Sequence, residues 1–330
     1  MKCGWIVFAT ALAPLCAQTP AVPIDAISGI VGAFRTHPIV ALGNVEFRGN
    51  EQAHAFQLAL ISDPRLAGQV NDIVVEFGSA RYQDVVDRFV RGEDVPDREL
   101  RRVWQDTTQF EIEWDLPIYE DFYRRVRKIN ESLPLERKVR VLLGDPPMNW
   151  DSVHDFADLR KAIGDRDGFA VEVVRREVLA KRRRALLIYG GQHLIRSEGA
   201  RGIVARLENE DRISVFTVMP ETRRDLTGLE PGVVSWPVPS LVLLPGTTIG
   251  AAVDRRSVRM ESQVDALLYL GQPATMTTST LSRDLCMDRS YMEMRLQRLS
   301  LAPPPPGAAM SLADQLRQYC AAATQKAPHP

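Results

Sequence analysis

Five short apolar runs, separated by segments of helical spacing, constrain the fold of this chain more than any other feature. They are "PIVALG" (38–43), "DIVVEFG" (72–78), "KVRVLLGD" (138–145), "ALLIYGG" (185–191) and "ISVFTVM" (213–219). A strand that is apolar on both sides must be covered on both faces, which is the condition of a parallel sheet. The intervening segments supply the cover. "NEQAHAFQLALISD" (50–63) carries Ala55, Leu58, Ala59 and Ile61 at helical spacing. "ARYQDVVDRFVRG" (80–92) carries Val85, Val86, Phe89 and Val90, with Gly92 as its stop. "PDRELRRVWQDT", "PIYEDFYRRVRKINESL", "FAVEVVRREVLAKRRR" and "GIVARLENE" read as further helices, and "DSVHDFADLRKAI" as one capped by Asp151. The expected fold class is therefore α/β: a mostly parallel sheet flanked by helices on both faces.

After residue 220 the pattern weakens. "GVVSWPVPSLVLLPG" is an extended segment or an edge hairpin, because proline is excluded from a central strand. "VDALLYLG" (264–271) reads as one more strand and "SRDLCMDRSYMEMRLQRL" as one helix. "APPPPGA" (302–308) is a stiff linker and "MSLADQLRQYCAAA" a closing helix. The expected division is a signal peptide at 1–17, an α/β domain at 22–271 and a C-terminal helical extension at 272–330 with a disordered tail.

The opening "MKCGWIVFATALAPLCAQTP" has one charged residue, Lys2, then a mostly apolar stretch from Trp5 to Leu15 that is short for a bilayer span. It reads as a secretory signal cleaved after Ala17, which makes the chain periplasmic or secreted, with no transmembrane segment after the signal. The signal removes one of 41 basic residues against 42 acidic ones, leaving 40 − 42 = −2. So balanced a chain shows no electrostatic footprint for nucleic acid. Two cysteines remain, Cys286 and Cys320, and in an exported protein they are expected to pair and pin the C-terminal helix to the body.

Ligands of open parallel sheets collect beyond the carboxyl ends of the strands. Polar residues stand at that place after four separate runs. After the first come Asn44, Glu46, Glu51 and His54; at the end of the second is Glu76; at the end of the third, Asp145; after the fourth, Tyr189-Gly190-Gly191 and His193. Each has a plainer use as well. Glu76 needs a partner inside an apolar strand end, such as Arg81. Glu51 and His54 share a helix face; Asp145 precedes two prolines in a turn. The glycine pair permits a tight turn that presents His193.

No GxSxG elbow, P-loop or GxGxxG is present, and no mature cysteine lies at a strand end. Covalent serine or cysteine hydrolysis and nucleotide binding are thereby disfavoured. What suits two histidines and several carboxylates is water activated by histidine, with a carboxylate orienting the ring. Catalytic candidates are His193, His54, Glu76 and Glu51; binding candidates are Asn44, Glu46, Asp145, Tyr189, Gly190 and Gly191. A divalent metal bound by the same residues stays open.

The order "VALG", "VVEFG" and "GGQH" resembles the superfamily of erythromycin esterase-like, ChaN-like haem-uptake and TraB/Tiki proteins, over roughly residues 38 to 271. Glu76 matches its second-strand glutamate, and His193 its late Gly-x-x-His element. Its Gly-Glu-x-His first motif is altered here to "GNVEF", with Asn44 in place of the glutamate. The resemblance implies hydrolysis by activated water in one branch, metal-dependent peptide cleavage in another and haem binding in a third. Three functions follow: an exported esterase-like hydrolase, a non-catalytic protein that binds haem or a small ligand on the same scaffold, or a divalent-metal hydrolase. A small-molecule or peptide ligand is the expected partner.

Overall fold

A computed structural model describes residues 18–44, 49–196, 201–253, 257–303 and 309–325, so the proposed signal segment and Glu46 lie outside the described residues. The chain opens with β1 (Ile24–Asp25) and α1 (Ala26–Ala33), the latter capped by the Asp25 carboxylate. There follow β2 (Ile39–Asn44), α2 (Glu51–Ser62), β3 (Asp72–Ser79), α3 (Gln83–Arg91), α4 (Asp97–Gln105), α5 (Pro117–Glu131) and β4 (Arg140–Asp145). Next come α6 (Phe156–Ile163), α7 (Arg166–Val173), β5 (Ala185–Gly190), α8 (Gly191–Leu194), α9 (Ile203–Asn209) and β6 (Val215–Glu221). The last third holds β7 (Ser240–Leu243), α10 (Thr248–Ala251), β8 (Ala266–Tyr269), α11 (Arg283–Met287), α12 (Arg289–Leu301) and α13 (Leu312–Gln325).

The strands form one eight-stranded sheet in the order β1-β7-β8-β6-β2-β5-β3-β4. From β4 across to β8 every pairing is parallel; β7 runs antiparallel to β8 and to the short edge strand β1. The five apolar runs are five adjacent parallel strands, so the expected α/β architecture holds. The proline-marked segment makes a 3₁₀ turn at Pro231–Ser235 and then β7, which is second from the edge, between β1 and β8, rather than an edge hairpin.

Side chains alternate across the sheet. Val40, Leu42, Ile73, Val75, Phe77, Leu186 and Ile188 fill one face, covered by α1 to α5 through residues such as Ile30, Phe56, Val86, Leu100 and Phe122. Ile39, Ala41, Val74, Leu187 and Tyr189 fill the other, covered by α7, the π-helical turn Val174–Leu179 that continues it, and α9 through Val171, Val174, Ile203 and Leu207. Gly92 ends α3 in the left-handed conformation, φ 106°, as its sequence position predicts.

Three local expectations are corrected. Asp151 lies in a 3₁₀ turn, and the helix after it is capped by Asp155, which accepts from the Asp158 N–H at 2.8 Å. The segment read as one helix is two, because Asp288 interrupts it and caps α12 through the Tyr291 N–H. Cys286 and Cys320 form the expected disulfide, but it joins α11 to α13 within the C-terminal helices rather than to the sheet domain. What fastens those helices to the sheet domain is a pair of buried arginines on α12. Arg295 is bonded to the Asp115 carboxylate at 2.6 and 2.7 Å, and Arg298 to Asp106 at 2.6 Å.

Candidate functional site

Glu76 sits where β3 reaches the carboxyl rim. Val74, two residues earlier, belongs to the α7/α9 face, and strand alternation sends Glu76 to the same side. It is 3% exposed. Its Oε1 accepts from Arg166 Nη2 at 2.9 Å and lies 3.4 Å from His193 Nε2; its Oε2 accepts from the Gly190 N–H at 2.7 Å. Burial drives this carboxyl upward. The bond from His193, the Arg166 charge and the Gly190 N–H outweigh burial and bring it down to about 2. The arginine that pairs with Glu76 is thus Arg166, 90 residues along the chain, and not the neighbouring Arg81.

His193 is on α8, the short helix that follows β5. Its Nδ1 meets the Asp167 carboxylate at 2.6 Å, and Nε2 is turned toward Glu76. The side chain is 13% exposed, enough for a solvent-facing edge. Burial disfavours the charged ring, but the bonds to Asp167 and Glu76 prevail and lift its pKa to about 9. His193 is therefore an imidazolium at neutral pH.

The glycines around it are there for space rather than for unusual dihedrals. Gly190 has φ −52°, open to any residue, but a Cβ on it would lie 3.2 Å from Glu76 Oε2 and 3.4 Å from the His193 ring. A Cβ on Gly191 would meet Met219 Sδ at 2.7 Å.

Asp145 ends β4 and is fully enclosed. Thr108 donates to it twice, from its N–H at 2.6 Å and its hydroxyl at 2.5 Å, and Arg166 Nε lies 3.3 Å away. Burial raises Asp145 to about 6, against the pull of Arg166 and Thr108 and with help from the Glu76 charge. The Arg166 guanidinium thus bridges two buried carboxylates, Glu76 and Asp145. Beside them, the Tyr189 hydroxyl is buried and makes no hydrogen bond among the described residues. It packs so closely on Gly144 that a Cβ there would fall 1.6 Å from its oxygen. Burial, then the Glu76 and Asp145 charges, hold this phenol well above its usual value.

Glu76, Asp145, Tyr189, Gly190, Gly191 and His193 are thereby brought together. The α2 residues belong elsewhere. This helix packs with α5 on the opposite face of the sheet from α7. Burial and the Arg125 charge lower His54 to about 4, so it is neutral, and its Nε2 has no partner among the described residues. Glu51 is exposed and accepts from the Thr277 hydroxyl at 2.6 Å. Asn44 pairs in register with Gly190, but its side chain donates to Tyr119 Oη at 3.4 Å, on the α5 side.

Sequence reading missed Arg166, Asp167 and Thr108. A usable sign was present in "GDRDG" (164–168): Asp165 caps α7 by accepting from the Gly168 N–H, which makes Arg166 and Asp167 its first turn. Beginning that helix at Phe169 left both in a loop.

The donor set does not suit a metal or haem iron. Among the described residues no group of three or more His, Cys, Asp or Glu is arranged to hold a metal ion. The position between Glu76 and Asp145 that a cation would take is filled by the Arg166 guanidinium. Both His193 nitrogens face carboxylates and the ring is held protonated at neutral pH, which leaves only a small fraction of free imidazole to meet iron; the Tyr189 phenol is held protonated as well.

No family model matches this sequence, and no curated protein matches it. Solved structures do. A succinoglycan biosynthesis protein is similar at 9% identity and a TM-score of 0.56, covering 81% of this chain and 97% of its own. A Bacillus cereus protein is similar at 11% identity and a TM-score of 0.53, with the same coverage. ChaN of Campylobacter jejuni, solved with cofacially bound haem, reaches a TM-score of 0.39 at 14% identity over 60% of this chain and 88% of its own. The first two share the fold; at such identities the likeness extends no further.

Proposed function

We propose that this chain is an exported, metal-independent hydrolase of small esters or related acyl compounds, with His193 as its proton-handling group. The observation that carries the reading is the Asp167–His193–Glu76 arrangement. One carboxylate fixes Nδ1 at 2.6 Å, and Nε2 is held at the rim beside a second carboxylate. A ring oriented in this way accepts a proton from water and returns it to the leaving group. Because the pKa is about 9, the base form is a small fraction at neutral pH, and hydrolysis strengthens toward alkaline pH. Glu76 orients and stabilises the charge. It is not the base, because strong donors occupy both of its oxygens.

Export accords with the apolar opening and with the Cys286–Cys320 disulfide. A screen of esters, lactones and peptides, run on the parent and on His193→Ala, tests the function. Loss of turnover in the variant is expected; equal turnover removes His193 from the mechanism.

One observation favours a second reading, a non-catalytic small-ligand binder. The Tyr189 hydroxyl is buried beside Arg166 with no hydrogen-bond partner among the described residues, and such a group is what a bound water or ligand hydroxyl satisfies. A parent chain inert toward every compound in the screen, yet stabilised thermally by one of them, supports that reading. Haem titration is expected to give no Soret change.

A further inference from the structure

Asp145 reaches the site from an edge strand, and what holds it comes from the far end of the chain. The segment between α4 and α5 carries Thr108, whose N–H and hydroxyl grip the two Asp145 oxygens. Within the segment the Thr107 hydroxyl donates to the Gln109 carbonyl at 3.3 Å and the Asp115 N–H to the Ile112 carbonyl at 2.9 Å. Helix α12 adds bonds to the Gln105 and Phe110 carbonyls. Arg298 donates to the Gln105 carbonyl at 2.7 Å and to Asp106 at 2.6 Å, and its guanidinium stacks on the Trp150 ring at 4.2 Å. Arg295, wholly buried, donates to the Gln105 carbonyl at 3.1 Å and the Phe110 carbonyl at 3.3 Å, and it closes a bidentate pair with Asp115. Trp150 completes the grip through its indole N–H on the Thr107 carbonyl at 3.2 Å. The two arginines are three residues apart on one helix and so act on one side of it.

We propose that Thr108 is a positioning residue of the candidate site and that helix α12 keeps it there. Arg295 and Arg298 shape the 105–115 segment so that Thr108 fixes Asp145, and through Asp145 the Arg166 guanidinium that stands against Glu76. The C-terminal helices, which lie outside the sheet domain, thereby set the electrostatics around His193.

The sign of the effect follows from the charges present. Asp145 faces Thr108, Arg166 on α7, Glu76 on β3, Tyr189 on β5 and Tyr123 on α5. His193 faces Asp167 on α7 and Glu76 on β3, with the Gln192 amide beside it. Removing the Thr108 hydroxyl takes away one of the two Thr108 bonds that hold the Asp145 carboxylate against Arg166, so the carboxylate, ionised at the pH where His193 titrates, turns away from the guanidinium. Arg166 then lacks one of its two carboxylates and its charge bears more heavily on Glu76 and His193. The imidazolium is disfavoured, and the His193 titration moves down.

The inference rests on His193 being the proton-handling group, but its readout is a titration rather than turnover, so an inert chain still answers it. The full chain is labelled with ¹³C-histidine and titrated by NMR, the His193 signal being assigned by its loss in His193→Gln. In Thr108→Val, which keeps the backbone N–H, and in Arg298→Met, the His193 midpoint is expected to fall by about half a pH unit or more. Asp145→Asn is expected to produce the same fall, and Thr108→Ser to restore the parent midpoint. If Arg298→Met does not fold, the near-isosteric Thr108→Val decides alone. An unchanged His193 midpoint in a folded Thr108→Val, or an equal shift at His37, His154 and His193 together, overturns the proposal.

Discussion

Replacing Asp167 by asparagine removes one charge from the centre of the site while keeping its volume and one acceptor. In the parent, His193 rises from an ordinary 6.5 to about 9, which corresponds to roughly 3 kcal/mol of preference for the imidazolium. Asp167 makes the shorter of its two carboxylate contacts, 2.6 Å against 3.4 Å for Glu76, so about half of that preference is assigned to it. The His193 midpoint should therefore drop by about one unit. The stability consequence has a definite sign. A histidine whose folded pKa is raised contributes fully below its unfolded value, near 6.5, and loses that contribution as pH climbs through about 9. Asp167→Asn should thus be less stable than the parent by roughly 1–2 kcal/mol at pH 6, with the difference shrinking toward pH 10. Urea denaturation at the two pH values measures this, and NMR of the labelled histidine measures the midpoint directly. A His193 midpoint unmoved in the variant, or a stability loss that grows with pH, would refute the assignment of His193 as an imidazolium held by Asp167.

Three further outcomes are expected. Gly144→Ala should cost about 1–3 kcal/mol because its Cβ overlaps the Tyr189 hydroxyl, and Tyr189→Phe should recover part of that loss in the double variant; thermal melting of the four chains completes the cycle. Asp115→Ala strands the wholly buried Arg295 and should cost about 3–5 kcal/mol, whereas Asp314→Ala, an exposed position on α13, should change denaturation little. Reducing the disulfide, which spans 34 residues, should remove about 3–4 kcal/mol from the C-terminal helices, visible as a lower melting temperature with reductant.

The fold was largely legible because each buried parallel strand must be apolar on both faces, and that requirement writes itself into a continuous run such as "ALLIYG". β1 left no comparable trace: two residues on an edge bury almost nothing, and α1 went unread with it. Asp288 was read as an ordinary helical position because nothing local distinguishes an aspartate that caps from one that is solvated. For the site, Glu76 and His193 stood out as polar residues closing apolar runs. Their partners did not, since Asp167 and Arg166 belong to a helix start on another element and Thr108 to an irregular segment shaped by a helix more than 180 residues away. His54 illustrates the opposite error. Its place after the first strand suggested convergence with His193, but the crossover to α2 carries it to the other face, where burial keeps it neutral.

The proposed hydrolysis depends on the neutral form of a histidine held charged by two carboxylates. The pH–rate profile of ester hydrolysis, corrected for the spontaneous reaction, tests it most directly. The parent should gain about tenfold per pH unit on the acid side of about 9 and level off above it, while His193→Ala shows no such limb. Superimposable profiles for the two chains, or a parent rate that falls as pH rises toward 9, would contradict it.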